Sequence, residues 1–170
     1  MRLIMIGLIR NELSINSSLT AKLFIINFRL ASLFYSSSLI NKVFIVNVLF
    51  LKLLKFICGL DIPPRTKIGE GMILYHPQNI VINADSVLGR NVMLKHNVTI
   101  GNKIDPITGK HVSPVIGNNV ELSPGVIVLG GISVGDNSII GAGSIVVKNI
   151  PANSIAVGSP AKVIKKISEG

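Results

Sequence analysis

From Ile68 onward an aliphatic residue returns every six positions: Ile68 and Leu74, then Ile82, Leu88, Leu94 and Ile100, then Ile116, Leu122, Val128, Val134, Ile140 and Val146. An α-helix spaces its apolar residues by three and four and a half-buried strand by two, so neither produces this period. A short fixed period belongs to stacked units, each too small to bury its own apolar side. Three hexads close one triangular coil, and these twelve give four coils with the aliphatic side chains pointing into a prism. Gly follows the aliphatic residue at positions 69, 89, 101, 117, 135 and 141, while Ser86, Val92, Val98, Val120, Val126, Ser138 and Ser144 keep the fifth position small or β-branched. Rings do not fit so narrow an interior, and all six Phe lie before Gly59.

Two interruptions break the count. Two extra residues fall between Leu74 and Ile82, near Pro77-Gln78-Asn79, and ten more fall between Ile100 and Ile116. A stacked coil has no space for the second insertion, so residues 102–115 form an external loop, the place where function tends to sit.

Composition divides at the same boundary. Residues 1–60 contain no Pro, two of the sixteen Gly, and seven Lys/Arg against Glu12 alone; the remainder holds all eight Pro and fourteen Gly. This first segment is too often interrupted by Arg10, Lys22, Arg29, Lys42, Lys52 and Lys55 to read as a membrane span, and no small-residue cleavage site follows its first apolar run. Leu19, Leu23, Ile26, Leu30, Leu33 and Phe34 follow a helical spacing, as do Val43, Val46, Leu49, Phe50 and Leu53, which predicts two amphipathic helices. Such helices pack on each other and on the prism, or also rest on an anionic membrane through their Lys and Arg. One cysteine excludes a disulfide scaffold, and Cys58 reads as a packing residue with nothing near it in sequence to activate a thiolate. The chain has no metal-ligand spacing and no dinucleotide fingerprint, and its basicity lacks the aromatic platforms of nucleic-acid binders.

Every third hexad returns to the same side of the prism. In the column that contains Leu74, Leu94, Leu122 and Ile140, the residues two positions further on are His76, His96, Pro124 and Ala142. Adjacent coils lie about 4.8 Å apart, so two of the three histidines share one edge.

Around these residues, from about Asp61 to Ile167, the chain resembles the hexapeptide-repeat acyltransferases, in the branch of the serine acetyltransferases and the colanic-acid-type polysaccharide O-acetyltransferases. The resemblance rests on Asp61-Ile-Pro-Pro, Ile73-Leu-Tyr-His76, Ile80-Val-Ile, Val98-Thr-Ile-Gly-Asn, Pro114-Val-Ile-Gly, Ile140-Gly-Ala-Gly-Ser and Ala156-Val-Gly-Ser-Pro-Ala-Lys-Val-Ile. It implies a mainly β fold, a left-handed parallel β-helix of about four coils over 61–170 with an N-terminal helical cap over 1–60. It implies that His76 is the general base for an acceptor hydroxyl, oriented by Asp61, with direct attack on acetyl-CoA and no covalent enzyme intermediate. An imidazole titrates near working pH, and a carboxylate at its second nitrogen fixes the tautomer, which suits that role.

The remaining site residues follow from the same resemblance. His111 lies five residues ahead of Ile116, where the family's second active-site histidine lies three ahead and this chain has Ser113; it is either a second site residue or a solvated loop histidine. His96 has a histidine counterpart in the colanic-acid-type relatives and either supports His76 or caps the corner. The pantetheine arm of CoA is expected along Gly141 and Ala142, with Lys148 and Lys162 as further cofactor contacts; Lys165 and Lys166 either join them or only solvate the tail. A homotrimer is implied, in which residues 102–115 reach over a neighbouring subunit, and a cytoplasmic location at or near the membrane's inner face.

A sugar hydroxyl of a surface polysaccharide is the expected acceptor. The first segment is short for a serine acetyltransferase, the last residues, Ile167-Ser-Glu-Gly, lack the terminal isoleucine that docks cysteine synthase, and the helices are basic and apolar. L-serine is the alternative acceptor, and a non-catalytic β-helix scaffold is the alternative of another class.

Overall fold

The computed structural model describes residues 2–35 and 42–167, which leaves Ser168–Gly170 of the tail outside the described residues. From Lys67 the chain winds into a three-sided parallel prism. One face carries Lys67–Ile68, Val87–Leu88, Val115–Ile116 and Ser133–Val134; a second carries Ile73–Tyr75, Met93–Lys95, Glu121–Leu122 and Ile139–Ile140; a third carries Val81–Ile82, Thr99–Gly101, Ile127–Leu129 and Ile145–Val146.

The register follows the hexad count. Ile68 pairs with Leu88, Leu88 with Ile116 and Ile116 with Val134; Leu74, Leu94, Leu122 and Ile140 form the second column; Ile82, Ile100, Val128 and Val146 form the third. All twelve point inward, and all but Ile68 are fully buried, in an interior free of rings. A fifth partial coil adds Ile150 and Ala156 beneath Val134 and Ile140. Ser154–Gly158 then folds back antiparallel with Ala161–Lys166, extending the second face.

Asparagines make one corner. Asn91, Asn119, Asn137 and Asn153 all have φ between 53° and 57°, a left-handed conformation that Asn tolerates better than most residues. Their side-chain amides form a ladder from coil to coil at 3.0, 2.9 and 2.9 Å.

The cap has three helices, α1 (Arg2–Ile15), α2 (Leu19–Tyr35) and α3 (Lys42–Cys58), where the spacing predicted two. It also buries faces other than the predicted ones. In α2 the buried side is Ala21, Phe24, Ile25, Phe28 and Ala31, whereas Leu19 of the predicted stripe is 71% exposed. In α3 the buried edge is Asn47, Leu51 and Leu54, while Val46, Leu49 and Leu53 face outward. These helices are apolar round most of their circumference, so periodicity cannot select a face, and the packing of α2 against α3 and the prism end selects it instead. The side chains of Phe34 and Val43 lie outside the described residues.

Cap and prism share one buried apolar cluster, which runs from Phe24, Ile25 and Phe28 to Met72 and Leu74, and a set of polar contacts joins them as well. The first coil is a sheet edge, with backbone groups that lack a preceding coil to pair with. Arg29 donates to the carbonyls of Ile68 at 2.8 Å and Gly69 at 2.6 Å. Glu12 accepts from the Met72 amide at 3.0 Å. Asn16 donates to the Met72 carbonyl at 3.0 Å and accepts from the Leu74 amide at 2.8 Å. Glu12 and Arg29 close the arrangement with a two-pronged ion pair of 2.6 and 2.9 Å, both side chains buried.

Candidate active site

His76 follows the strand Ile73–Tyr75 at the corner between the second and third faces, with φ 49°. Among the described residues the other non-glycine positions with positive φ are all Asn: 79, 91, 97, 119, 137 and 153. An imidazole thus occupies a backbone conformation that the rest of the fold gives to Asn or Gly, and such departures concentrate at functional sites.

The column expected from the count is present. Tyr75 pairs with Lys95, which places His96 one coil beyond His76. Gly125 donates to the His96 carbonyl and Gly143 to the Pro124 carbonyl, carrying the corner on through Pro124 to Ala142. His76 and His96 form the ridge between two clefts. One, of about 380 Å³, is lined by Tyr75, Met93, Lys95 and Pro124 with both histidines. The other, of about 410 Å³, adds Ser18 and Thr20 from the cap, Cys58, Pro77 and Gln78.

Charge enters the first cleft through Lys95, whose ammonium is held 2.7 Å from Glu121, a carboxylate that also accepts from the Ser123 hydroxyl at 3.3 Å. Lys95, Tyr75, Ser18, Thr20 and Gln78 were not singled out from the sequence. Lys95 and Tyr75 were within reach, because each directly precedes a column histidine; Ser18 and Thr20 arrive through tertiary packing and leave no local signal.

Asp61 is held from α3. It pairs with Val81 on the third face, and its carboxylate lies 2.7 Å from Lys55 of α3. Among the described residues no hydrogen bond joins Asp61 to His76.

His111 sits in the inserted loop, which folds into a small antiparallel hairpin of Lys103–Ile104 with His111–Val112. Its Nδ1 is 3.1 Å from the Asn102 side-chain amide, it is exposed, and it shares neither cleft with His76. At the hairpin tip the Asp105 carboxylate accepts from the Thr108 and Ile107 backbone amides, which hold it below the usual carboxylate range.

Down the corner, Ala142 and Gly143 are exposed, and a Cβ added to Gly143 would meet open space. Gly141 donates to the Ala156 carbonyl and has no room for a Cβ beside Val157. Lys148 is exposed after the last strand of the third face, and Lys162 is exposed on the closing antiparallel strand. The corner therefore offers an open, small-residue track beginning at the histidines, which suits an extended ligand arm. Among the described residues no group of three or more His, Cys, Asp and Glu is placed to hold a metal ion, and no helix is long and apolar enough to cross a membrane.

The model of the family "Bacterial transferase hexapeptide (six repeats)" matches residues 113–148. A serine acetyltransferase of Helicobacter pylori is 41% identical over 118 residues, covering 68% of this chain and 66% of that protein. Soybean serine acetyltransferase complexed with serine superposes with a TM-score of 0.74 at 28% identity, over 86% of this chain and 58% of the other. A serine acetyltransferase in complex with CoA gives 0.71 at 26% identity, again over 86% and 58%. The chain spans 34%, 42% and 66% of the length of three curated relatives that it matches. The left-handed parallel β-helix implied by the sequence is thus the fold. With the coil register, the histidine corner and these likenesses in agreement, the chain belongs to the hexapeptide-repeat acyltransferase superfamily, in its serine acetyltransferase branch.

Proposed function

We propose that this protein is an acetyl-CoA-dependent O-acetyltransferase, with His76 as general base and L-serine as acceptor. The observation that carries the reading is the exposed corner at which His76, in a conformation otherwise given to Asn and Gly, stands over His96 between two clefts. Serine replaces the sugar hydroxyl expected from the sequence because the matching curated relatives are serine acetyltransferases, and none of the features that favoured a glycan bears on the histidine corner.

Acetyl-CoA supplies the acyl group as a thioester. Neutral His76 takes the proton of the acceptor hydroxyl as its oxygen bonds to the acyl carbon and the carbon–sulfur bond breaks; the imidazolium returns that proton to the departing sulfur. The backbone at Gly141 and Ala142 would hold the cofactor arm along the corner, and Lys148 and Lys162 would sit near its phosphates. A homotrimer belongs to this reading, supported by the inserted hairpin, whose Ile107 is 92% exposed and available to a neighbouring subunit. A cytoplasmic location follows from where acetyl-CoA is made available.

The test is thiol release from acetyl-CoA with L-serine, compared with acetylated products from sugar acceptors. His76→Ala is expected to lower kcat about a hundredfold or more while the protein stays folded; unchanged turnover returns the chain to the scaffold reading, and turnover with sugar alone overturns serine. Asp61 orients His76 only after leaving Lys55, so Lys55→Ala is expected to retain or raise activity while Asp61→Asn lowers it about tenfold or more. Equal losses from both would make the pair structural.

A further inference from the structure

The helix α3 has a second apolar side that none of the described residues covers. Ile45, Val46, Leu49, Leu53, Phe56 and Ile57 are 49, 63, 58, 49, 89 and 66% exposed. At about 100° per residue they fall within about 120° of the helix circumference, opposite the edge of Asn47, Leu51 and Leu54 that packs on the protein. Six large apolar side chains in one arc make a patch rather than scattered exposure.

The charge around the patch selects its partner. Lys52 is exposed on the same helix beside this arc, Lys55 is exposed further round and pairs with Asp61 at 2.7 Å, and Arg10 is exposed on α1. The sole acidic residue of the first sixty, Glu12, is fully buried against Arg29. The exposed surface of the cap therefore carries cations and no carboxylate of its own, and the neighbouring Asp61 is already engaged by Lys55. Two copies of this face would bring like charges together, whereas phospholipids with anionic headgroups complement both Lys52 and the apolar arc. A helix of seventeen residues is about 26 Å long, short of the roughly 30 Å hydrocarbon core, and Lys52 and Lys55 interrupt it, so it lies along a bilayer rather than crossing one.

We infer that α3 is a peripheral membrane-docking helix that rests this exposed arc in the headgroup region of an anionic bilayer. The inference is independent of the acceptor. It has a spatial consequence for the site, because Cys58, the last residue of α3, lines the same cleft as His76 and His96; the docked surface begins at the neighbouring Ile57 and Phe56.

The experiment is flotation of the full chain with vesicles of phosphatidylcholine alone and of phosphatidylcholine mixed equally with phosphatidylglycerol. The wild type is expected to float with the anionic vesicles, at least tenfold more than with the neutral ones, and to be released by high salt. Leu49→Asn/Leu53→Asn/Phe56→Asn and, separately, Lys52→Glu are each expected to lower that partition about tenfold or more. Both change exposed side chains outside the catalytic corner, so thiol release with a soluble acceptor reports that they remain folded. Absence of flotation with anionic vesicles overturns the inference. So does flotation that the substitutions leave unchanged, and so does a fall in oligomeric mass in the triple variant without any vesicle binding by the wild type, which would assign the face to contacts between copies. Loss of catalysis with flotation intact would count against the proposed function and leave the docking helix standing.

Discussion

The prism and its cap reach order by opposite routes. In the prism each coil repeats the last, so the neighbours of Leu94 are Leu74 above and Leu122 below, and one count of six fixes every inward side chain. In the cap the decisive contacts have no period: Glu12, Asn16 and Arg29 join sites 39 to 60 residues away. A repeat stack needs a polar end cap because its first unit exposes an open edge, and here three side chains supply that end. The prism's order is distributed over many similar layers, whereas the polar part of the junction is concentrated in one ion pair and its hydrogen bonds.

The contrast breaks first at Glu12. Removing its carboxylate leaves the buried Arg29 guanidinium without its partner and frees the Met72 amide. Glu12→Ala is expected to cost about 3 to 5 kcal/mol, measured by denaturant unfolding, and to loosen the cap before the prism in amide exchange. A loss below about 1 kcal/mol would show that the junction is no more concentrated than any surface pair.

A single rung of the prism should matter less. Asn119 contributes two things, a left-handed backbone at φ 54° and an amide bonded to Asn91 on one side and Asn137 on the other. Asn119→Ala removes both and is expected to cost about 2 kcal/mol, whereas Asn119→Gly keeps the backbone conformation and is expected to cost about 1 kcal/mol. Equal losses would mean that the exposed ladder contributes everything and the conformation nothing.

This difference between regions also explains what could be read from the sequence. The four coils, their register, the ring-free interior, the outward loop and the His76–His96 column all follow from a period of six, because repetition converts sequence distance into spatial position. The helical faces were misjudged: Val46, Leu49 and Leu53 match a helical spacing as well as Leu51 and Leu54 do, and the choice depends on what the rest of the chain presents. Glu12 looked like one acid in a basic segment, and only the folded prism end reveals why it is there. The ion pair that engages Asp61 has the same origin, since its Lys55 comes from α3. Acceptor chemistry was not legible at all in the repeat, because the coils are scaffold and the clefts draw Ser18 and Thr20 from the cap.

The smallest effect lies in the inserted hairpin, the longest interruption of the period. Asp105 accepts from the amides of Thr108 at 2.8 Å and Ile107 at 2.9 Å, and these bonds favour the charged carboxylate, lowering its pKa below the ordinary carboxylate range. A depressed folded pKa means that the turn is stabilised at pH values above the ordinary carboxylate range and loses that contribution as pH falls through the lowered value. The group is partly exposed in a surface hairpin, so the change belongs to local order and not to global unfolding. Amide resonances of Ile107 and Thr108 are expected to shift together on acidification, while those of Val128 in the third face stay fixed. Asp105→Asn keeps an acceptor oxygen but removes the charge, and is expected to abolish that titration. Resonances that move alike in hairpin and coil would erase the distinction between a locally tied loop and a scaffold ordered by repetition.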